Sequence, residues 1–254
     1  MAGGSQTSAA SGAKPRLAAT ILLVRDDPFE VLLVKRSSAG SFPSCHVFPG
    51  GVVEPEDCAE HWRDLCRGGE RLSEADRAFR IAGLRECWEE TGVLCASVQP
   101  SKKETASQRL ELGRWMQARG AVFDIDQFAD FSHWVTPPAA PKRWDTRFLL
   151  ARAPEYHYAS SDGVETVDTQ WVEPQRALEM ADRGELNLLF STRANLHLLA
   201  MSSNFDDALE AAKARPFFVV TPMAQRIKGQ LFVSIPQEAG YPVSHGWIDP
   251  PPGS

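Results

Sequence analysis

The chain has 254 residues, a formal net charge of −6 and an apolar fraction of 43%. This composition is typical of a globular protein with one large or two small domains. The negative charge argues against nucleic-acid binding or membrane association, since both usually require a basic face. It is compatible with a small anionic substrate that is held by a few arginines and a metal ion.

Residues 1–14 consist mainly of Ala, Gly and Ser and lack the apolar core of a signal peptide, so we expect a disordered tail and a cytoplasmic location. The sequence contains no run of about 18 apolar residues, so it predicts no membrane-spanning helix. The cysteines are odd in number and include no Cys-x-x-Cys pair, a pattern typical of reduced thiols. They are Cys45, Cys58, Cys66, Cys87 and Cys95.

The first part of the chain predicts a strand hairpin, because the apolar runs at 17–24 and 31–34 flank an Asp-Asp-Pro turn. A short strand at 46–48 ends at Pro49-Gly50-Gly51. Farther along, Ser73 precedes Asp76 by three residues, which is close to a capping box. We therefore predict a helix that begins after Ser73 and stops at Gly92.

The remaining elements alternate between strand and helix patterns, which predicts an α/β fold. No linker rich in Pro, Gly or Ser divides residues 15 to 245. We therefore predict one domain at 15–185 with a C-terminal extension at 186–254 packed on it. The predicted helices lie at about 101–119, 174–183 and 191–214; the predicted strands lie at 131–135, 144–151 and 166–172, with a strand pair at 217–220 and 230–235 and an extended tail after residue 242.

Three glutamates crowd the end of the helix that is predicted to stop at Gly92. Glu86 is three residues from Glu89 and four from Glu90, so all three share one helix face, and Arg85 can pair with Glu89. Like charges at this spacing repel each other and oppose the helix dipole. Such a cluster indicates a compensating cation, and carboxylate oxygens suit Mg²⁺. A solvent-exposed acidic helix face would give the same pattern, so these glutamates alone do not distinguish a metal site from a solvated surface.

The segment from Arg85 to Val93 resembles the second half of the Nudix box, Gly-x5-Glu-x7-Arg-Glu-U-x-Glu-Glu-x-Gly-U, where U is bulky and aliphatic. Upstream, residues 48–54 (Phe-Pro-Gly-Gly-Val-Val-Glu) resemble its beginning. Two departures stand out. The box's first glutamate corresponds to Asp57, and the spacing from there to Arg85 is 20 residues too long. An insertion at about 58–77 therefore separates the halves, and Asp57, Glu56 and Glu74 are all candidates for the missing glutamate.

Interrupted boxes of this kind are similar to those of the peroxisomal and mitochondrial coenzyme A diphosphatases. Residues 32–51 resemble the coenzyme A motif of that branch, and residues 133–148 and 170–172 resemble further parts of it. The resemblance implies an α/β/α sandwich with a mixed β-sheet. It also implies cleavage of coenzyme A or acyl-CoA to 3′,5′-ADP and (acyl-)4′-phosphopantetheine. Two alternatives stay open: a diphosphatase for ADP-ribose, NADH or nucleotide sugars, and a Nudix-fold binding module without catalysis.

The resemblance also implies the site residues. Glu86, Glu89 and Glu90 would hold Mg²⁺ or Mn²⁺, with the carbonyl of Gly50 as a further ligand, and water would attack phosphorus. The proton would pass to a box glutamate or to Glu165 on a distant loop.

Several residues of the same region are candidates for contacts with the substrate. Gly51 would let the backbone approach the site closely. Arginines suit phosphate, and Arg36 and Arg147 are preferred because both lie on predicted strands near the motifs. The other candidates are Arg143 and Lys142 for phosphate, and Trp134 and Trp144, which either stack on an adenine or belong to the core. The sequence leaves open whether the chain is a monomer or a homodimer.

Overall fold

The computed structural model describes residues 13–39, 42–101, 112–138, 140, 142–155 and 157–247. The strands of this part of the chain are β1 (Arg16–Arg25), β2 (Glu30–Arg36), β3 (His46–Val47), β4 (Gly50–Val52), β5 (Cys66–Arg67), β6 (Phe123–Asp124), β7 (Ala129–Val135), β8 (Trp144–Arg152), β9 (Thr166–Val172), β10 (Val219–Val220), β11 (Met223–Ile227), β12 (Gln230–Ser234) and β13 (His245–Trp247). Its helices are α1 (Trp62–Leu65), α2 (Glu74–Thr91), α3 (Leu112–Arg119), α4 (Pro174–Asp182), α5 (Phe190–Leu199) and α6 (Phe205–Ala214).

The main sheet of the described residues has eight strands and is mixed. Its order is β10-β7-β8-β1-β2-β3, with β4 paired to β1 and β9 paired to β2. Strand β1 runs parallel to β8 and antiparallel to β2 and β4. Its side chains are buried on both faces, with Leu22 and Val24 in one core cluster and Ile21 and Leu23 in another. A continuous apolar run is what such a doubly covered strand requires.

Helices cover both faces of this sheet, so the predicted α/β/α architecture is confirmed. One core lies between the sheet and helices α1, α2 and α3. The other lies between the sheet and helices α4, α5 and α6. The last two of these belong to the segment 186–254, whose Asn195 accepts a hydrogen bond from Ser132 of β7 (2.7 Å). Contacts of this kind attach the C-terminal segment to the sheet.

Helix α2 has the ends that the sequence predicted. The Ser73 hydroxyl accepts a hydrogen bond from the Asp76 backbone N–H (3.1 Å), and this bond caps the first turn. Gly92 adopts φ +70° and donates its N–H to the Trp88 carbonyl (2.8 Å). A left-handed residue at the end of a helix favours glycine, which explains why the helix stops there.

The predicted strand pair of 217–220 with 230–235 is wrong. Strand β10 instead runs parallel to β7, with Val219 opposite His133, and so extends the main sheet. Strand β12 pairs with β11 and β13 in a separate three-stranded sheet. Apolar runs of this length indicate strands without specifying their partners, because pairing is decided by tertiary contacts.

The insertion inside the box forms local structure of its own. After a short 3-10 turn at Pro55–Cys58 come α1 and β5, and β5 pairs with β6. The helix predicted at about 101–119 is present as α3 from Leu112 to Arg119, while positions 102–111 lie outside the described residues. The five cysteines are free. Among the helices described, none combines the length and apolar character that a membrane crossing needs.

Candidate active site

The C-terminal half of α2 lies against the Gly-Gly pair of β4. The Gly50 backbone N–H donates a hydrogen bond to Glu90 Oε2 (2.9 Å). At Gly51, an added Cβ would lie 2.3 Å from Glu86 Oε1, a separation that real atoms do not reach. At Gly50, it would lie 2.4 Å from the Ala19 carbonyl oxygen. A side chain at position 50 would therefore collide with the backbone of β1, whereas one at position 51 would displace the Glu86 carboxylate.

Arg85 connects the two halves of the interrupted box. Its Nε and Nη2 donate to Asp57 Oδ1 (2.9 Å) and Oδ2 (3.0 Å). Its Nη1 donates to Glu86 Oε1 (2.9 Å) and Glu89 Oε2 (2.8 Å), and its Nη2 also reaches the Val52 carbonyl (2.9 Å). Burial opposes the charge of Arg85, but the bonds to Asp57 and the nearby glutamates raise its pKa above the usual value. The guanidinium therefore stays charged and orients the acidic face.

Of the three candidates for the missing glutamate, Asp57 is the one inside the site. Its side chain is fully buried, and its Oδ2 also accepts the Glu54 backbone N–H (2.8 Å). The Glu56 side chain is 58% exposed and faces His61, while that of Glu74 is 94% exposed. Of the three acids, Asp57 is therefore the one that lies in the site, where it pairs with Arg85.

The three glutamates of α2 differ in burial and protonation. Burial raises the pKa of Glu90 to about 8 and, with the charges of Glu89 and Glu165 adding to the effect, raises that of Glu86 to about 7. Glu89 is more exposed, and burial raises its pKa as well. Buried carboxylates with raised pKa values bind protons at neutral pH, or a cation in their place.

The charge balance of the site fits a divalent cation. Within the described residues, no three His, Cys, Asp or Glu side chains form a ready cluster, because Glu86 and Glu89 are directed at Arg85 and Glu90 at Gly50. Four carboxylates nevertheless face two guanidinium groups, so the cluster carries excess negative charge when all four are ionised, and a divalent ion would offset it. These groups are Asp57, Glu86, Glu89 and Glu90 against Arg36 and Arg85. Oxygen donors of this type suit Mg²⁺ or Mn²⁺.

Arg36 and Glu165, two of the candidates from the sequence, lie next to this cluster. Arg36 Nη1 is 3.5 Å from Glu90 Oε1. Glu165 immediately precedes β9, whose Thr166 is the pairing partner of Arg36. The Glu165 side chain is exposed to solvent, and its charge contributes to the raised pKa values of Glu86 and Glu90. The structure therefore brings a guanidinium and a solvent-facing carboxylate to the same end of α2.

The other arginine candidates have different surroundings. Arg143 donates from Nε to the Thr136 carbonyl (3.1 Å) and from Nη1 to the Ala13 carbonyl (2.9 Å). Arg147 is 3.9 Å from Asp76 in the first turn of α2, and a rise of about 1.5 Å per residue puts that turn about 15 Å from Glu86. Within the described part of the chain, neither Arg143 nor Arg147 contacts the carboxylates of α2 that are assigned to the site.

The two tryptophan candidates differ in their surroundings. Trp134 is buried in the core and donates from Nε1 to the Tyr241 hydroxyl (2.9 Å), so core packing explains it. Trp144 is half-buried and its ring centroid lies 5.3 Å from that of the exposed Phe42. Lys142 is exposed at the start of the same segment.

Sequence reasoning missed the residues that hold Glu165. The Asp162 carboxylate accepts three backbone N–H groups in the turn that leads into β9. The buried Thr166 places its Oγ1 3.0 Å from the Glu90 carbonyl. The Asp-Gly pair at 162–163 is a turn signal that could have indicated this loop.

A mixed sheet between two helical layers, with an acidic helix end packed on a Pro-Gly-Gly turn, defines a Nudix-type fold and site. The NUDIX domain family model matches residues 14–189, and the chain belongs to this family. The resemblance to the Nudix family that the sequence indicated is thereby confirmed.

The curated relatives include acyl-coenzyme A diphosphatases. The chain is 31% identical to "Acyl-coenzyme A diphosphatase NUDT19" of Gallus gallus (59% of this chain, 56% of the relative) and 27% identical to that of Homo sapiens (59% and 55%). It thus spans a little over half the length of these relatives. A solved NUDIX hydrolase from Alicyclobacillus acidocaldarius is similar in structure, with a TM-score of 0.67 and 30% identity over 78% of this chain and 96% of that one.

Proposed function

We propose that this protein is a metal-dependent hydrolase of a nucleoside diphosphate linked to another moiety, and that its substrate is coenzyme A or an acyl-CoA. The observation that carries the proposal is the pair formed by the partly buried Glu86 and the buried Glu90, which lie against Gly51 and Gly50 and have raised pKa values. A merely structural acidic face would be exposed to water.

Glu86, Glu89 and Glu90, with the carbonyl of Gly50, are the residues we assign to Mg²⁺ or Mn²⁺. An ion bound there would supply charge neutralisation for the diphosphate and lower the pKa of a water molecule. Arg85 orients Glu86 and Glu89 through its Nη1.

The chain's own groups around these ligands have separate roles. We assign Arg36 to a phosphate oxygen of the substrate, since its guanidinium reaches the same edge of α2. Glu165 is exposed and accepts the proton of the attacking water. The phosphorus–oxygen bond to the leaving phosphate then breaks, and the two products each carry one phosphate of the former diphosphate.

The assignment to coenzyme A is supported by the interrupted box and by the relatives that are named acyl-coenzyme A diphosphatases. ADP-ribose, NADH and nucleotide sugars are the alternative substrates. A non-catalytic binding module is disfavoured because the three box glutamates and Arg85 are all present. A cytoplasmic location stays a prediction, and the state as monomer or homodimer stays open.

A substrate panel tests the proposal. The protein is incubated with Mg²⁺ and, in separate reactions, with coenzyme A, acetyl-CoA, a long-chain acyl-CoA, ADP-ribose and NADH, and the products are separated by chromatography. We expect 3′,5′-ADP and (acyl-)4′-phosphopantetheine in equal amounts, with ¹⁸O from labelled water in one product. Turnover of ADP-ribose or NADH without turnover of coenzyme A would overturn the substrate assignment. The absence of any hydrolysis would overturn the proposed enzyme class.

A further inference from the structure

The turn that leads into β9 is folded around the carboxylate of Asp162. Its Oδ1 accepts the backbone N–H groups of Val164 (3.0 Å) and Thr166 (2.8 Å), and its Oδ2 accepts that of Glu165 (3.2 Å). Gly163 adopts φ +74° and donates its N–H to the Thr166 carbonyl (2.9 Å), which closes the turn. One side chain thus fixes three consecutive peptide groups, with Glu165 in the middle.

This turn is also joined to the candidate active site at two points. The Glu165 carbonyl accepts the Ser37 N–H (2.8 Å), at the residue that follows Arg36. The Thr166 hydroxyl lies 3.0 Å from the Glu90 carbonyl and 2.9 Å from Asp162 Oδ1, so its single hydrogen is donated to one of these acceptors. Thr166 is fully buried. The backbone on either side of the Glu165 side chain is therefore tied to β2 and to α2.

The strand pairing is irregular at the same place. Asp168 is opposite Lys35, whereas Thr166 is opposite Arg36, so the residue between them has no partner in the register. Such a bulge bends a strand and changes the direction of a side chain, and bulges are common beside active sites. Here the residue without a partner is Val167, two positions after Glu165.

The hydrogen bonds at position 162 require a carboxylate. A carboxylate offers two acceptor oxygens without a donor, which matches three N–H groups pointing at one spot. Asparagine would keep one oxygen for Val164 and Thr166 but would present an N–H₂ group to the Glu165 N–H. Burial alone would raise the pKa of Asp162, yet the hydrogen bonds from Thr166, Val164 and Glu165 lower it, so the anion is the form that the turn holds.

We propose that Asp162 is a positioning residue, which acts on the reaction by holding Glu165 beside the carboxylates of α2. This inference rests on the proposed function, in which Glu165 accepts the proton of the attacking water. Asp162 itself does not touch the substrate.

A double-mutant cycle tests this role with Asp162→Ala, Glu165→Gln and the combined variant. Removal of a general base lowers kcat by about 100-fold or more, so Glu165→Gln should show a loss of that size. Asp162→Ala should lower kcat at least about 10-fold with KM nearly unchanged, since loss of geometry at a proton acceptor affects the transition state. The combined variant should be no slower than Glu165→Gln, because the two residues act through one group.

Two further variants make the result specific. Asp162→Asn should give a kcat between those of the wild type and Asp162→Ala. It is the more conservative variant, and it tests the role of Asp162 if Asp162→Ala does not fold. Asp168→Ala is the matched control: Asp168 is exposed on β9 and accepts one backbone N–H, that of Thr169 (2.9 Å). Its kcat should equal that of the wild type. Thermal unfolding of each variant shows whether the fold is retained.

The contradicting outcomes are separate for each claim. If Asp162→Ala and Asp162→Asn both keep the wild-type kcat, or if the losses of Asp162→Ala and Glu165→Gln multiply in the combined variant, Asp162 does not act through Glu165. If Glu165→Gln is fully active, Glu165 is not the proton acceptor and the inference is overturned while the hydrolase stands. If the wild type hydrolyses none of the diphosphates, the proposed function itself is overturned.

Discussion

Asp57 and Arg85 form a buried ion pair in which two nitrogens of the guanidinium meet two oxygens of the carboxylate, at 2.9 and 3.0 Å. The pair joins residues that lie on opposite sides of the insertion in the box. Through it, the same arginine is held at the angle from which it reaches Glu86 and Glu89. The extra residues between the two halves are therefore accommodated without loss of the contact that organises the acidic face.

Replacement of Asp57 by Asn is expected to destabilise the protein. Loss of one partner of a buried ion pair typically removes about 3–5 kcal/mol of stability, and we expect about 3 kcal/mol here because Glu86 and Glu89 still face Arg85. Chemical denaturation measures the change.

The matched control for this variant is Asp124→Asn. Asp124 pairs with Arg67 at 3.0 Å, but the arginine side chain is 70% exposed. An exposed pair contributes about 0–1 kcal/mol, so this variant should unfold almost as the wild type does. Equal stability losses in the two variants would contradict the role of Asp57.

The two glycines of β4 should respond differently to alanine. At Gly51 the new methyl group meets the movable Glu86 carboxylate, whereas at Gly50 it meets the Ala19 backbone. Gly51→Ala should therefore lower kcat strongly with a small loss of stability. Gly50→Ala should lower the melting temperature by several degrees, since overpacking against a rigid neighbour costs about 1–3 kcal/mol. Kinetics and thermal unfolding of both variants check this contrast, and the opposite ranking would contradict it.

The metal-free protein should lose stability as the pH rises. The folded-state pKa values of Glu86 (about 7) and Glu90 (about 8) are above the value of about 4.3 for an unfolded glutamate. The folded protein therefore binds more protons than the unfolded chain. Their contribution to stability is complete below the unfolded pKa and is lost as the pH rises through 7 and 8.

Thermal unfolding with a chelator between pH 5 and 9 measures this slope. Glu90→Gln should reduce it, whereas Glu179→Gln, an exposed glutamate of α4, should leave it unchanged. Addition of Mg²⁺ should raise the melting temperature more at pH 8.5 than at pH 6, because protons compete with the ion at the lower pH. A melting temperature of the chelated protein that rises over this range would contradict the raised pKa values.

Asn195 should contribute to stability without contributing to catalysis. It is fully buried, accepts the Ser132 hydroxyl hydrogen (2.7 Å) and donates from Nδ2 to the Ser191 carbonyl (3.0 Å). Asn195→Ala leaves the buried Ser132 hydroxyl without this acceptor, so we expect a loss of about 1–3 kcal/mol with kcat unchanged. Gln225→Ala on the exposed β11 is the control and should change stability by less than about 0.5 kcal/mol. A fall in kcat of the folded Asn195→Ala protein would contradict this division.

Much of the fold and of the site could be predicted from local signals. The Ser73 cap and Gly92 determine the ends of α2, and the spacing of its glutamates determines their shared face. Partners that are distant in sequence could not be predicted. The pairing of Val219 with His133, and the position of Arg147 beside Asp76, depend on how the whole chain packs. The sequence also could not show which of Asp57, Glu56 and Glu74 lies in the site, because the burial that distinguishes them is not encoded in a local pattern.

The most direct test of the central claim is the kcat of Glu90→Gln with coenzyme A and saturating Mg²⁺. Glutamine retains an oxygen for the Gly50 N–H but loses the charge, so the fold should persist while metal-dependent hydrolysis falls by about 100-fold or more. Glu179→Gln serves as the control and should equal the wild type. A folded Glu90→Gln protein that retains wild-type kcat would contradict the assignment of this buried carboxylate to the metal site.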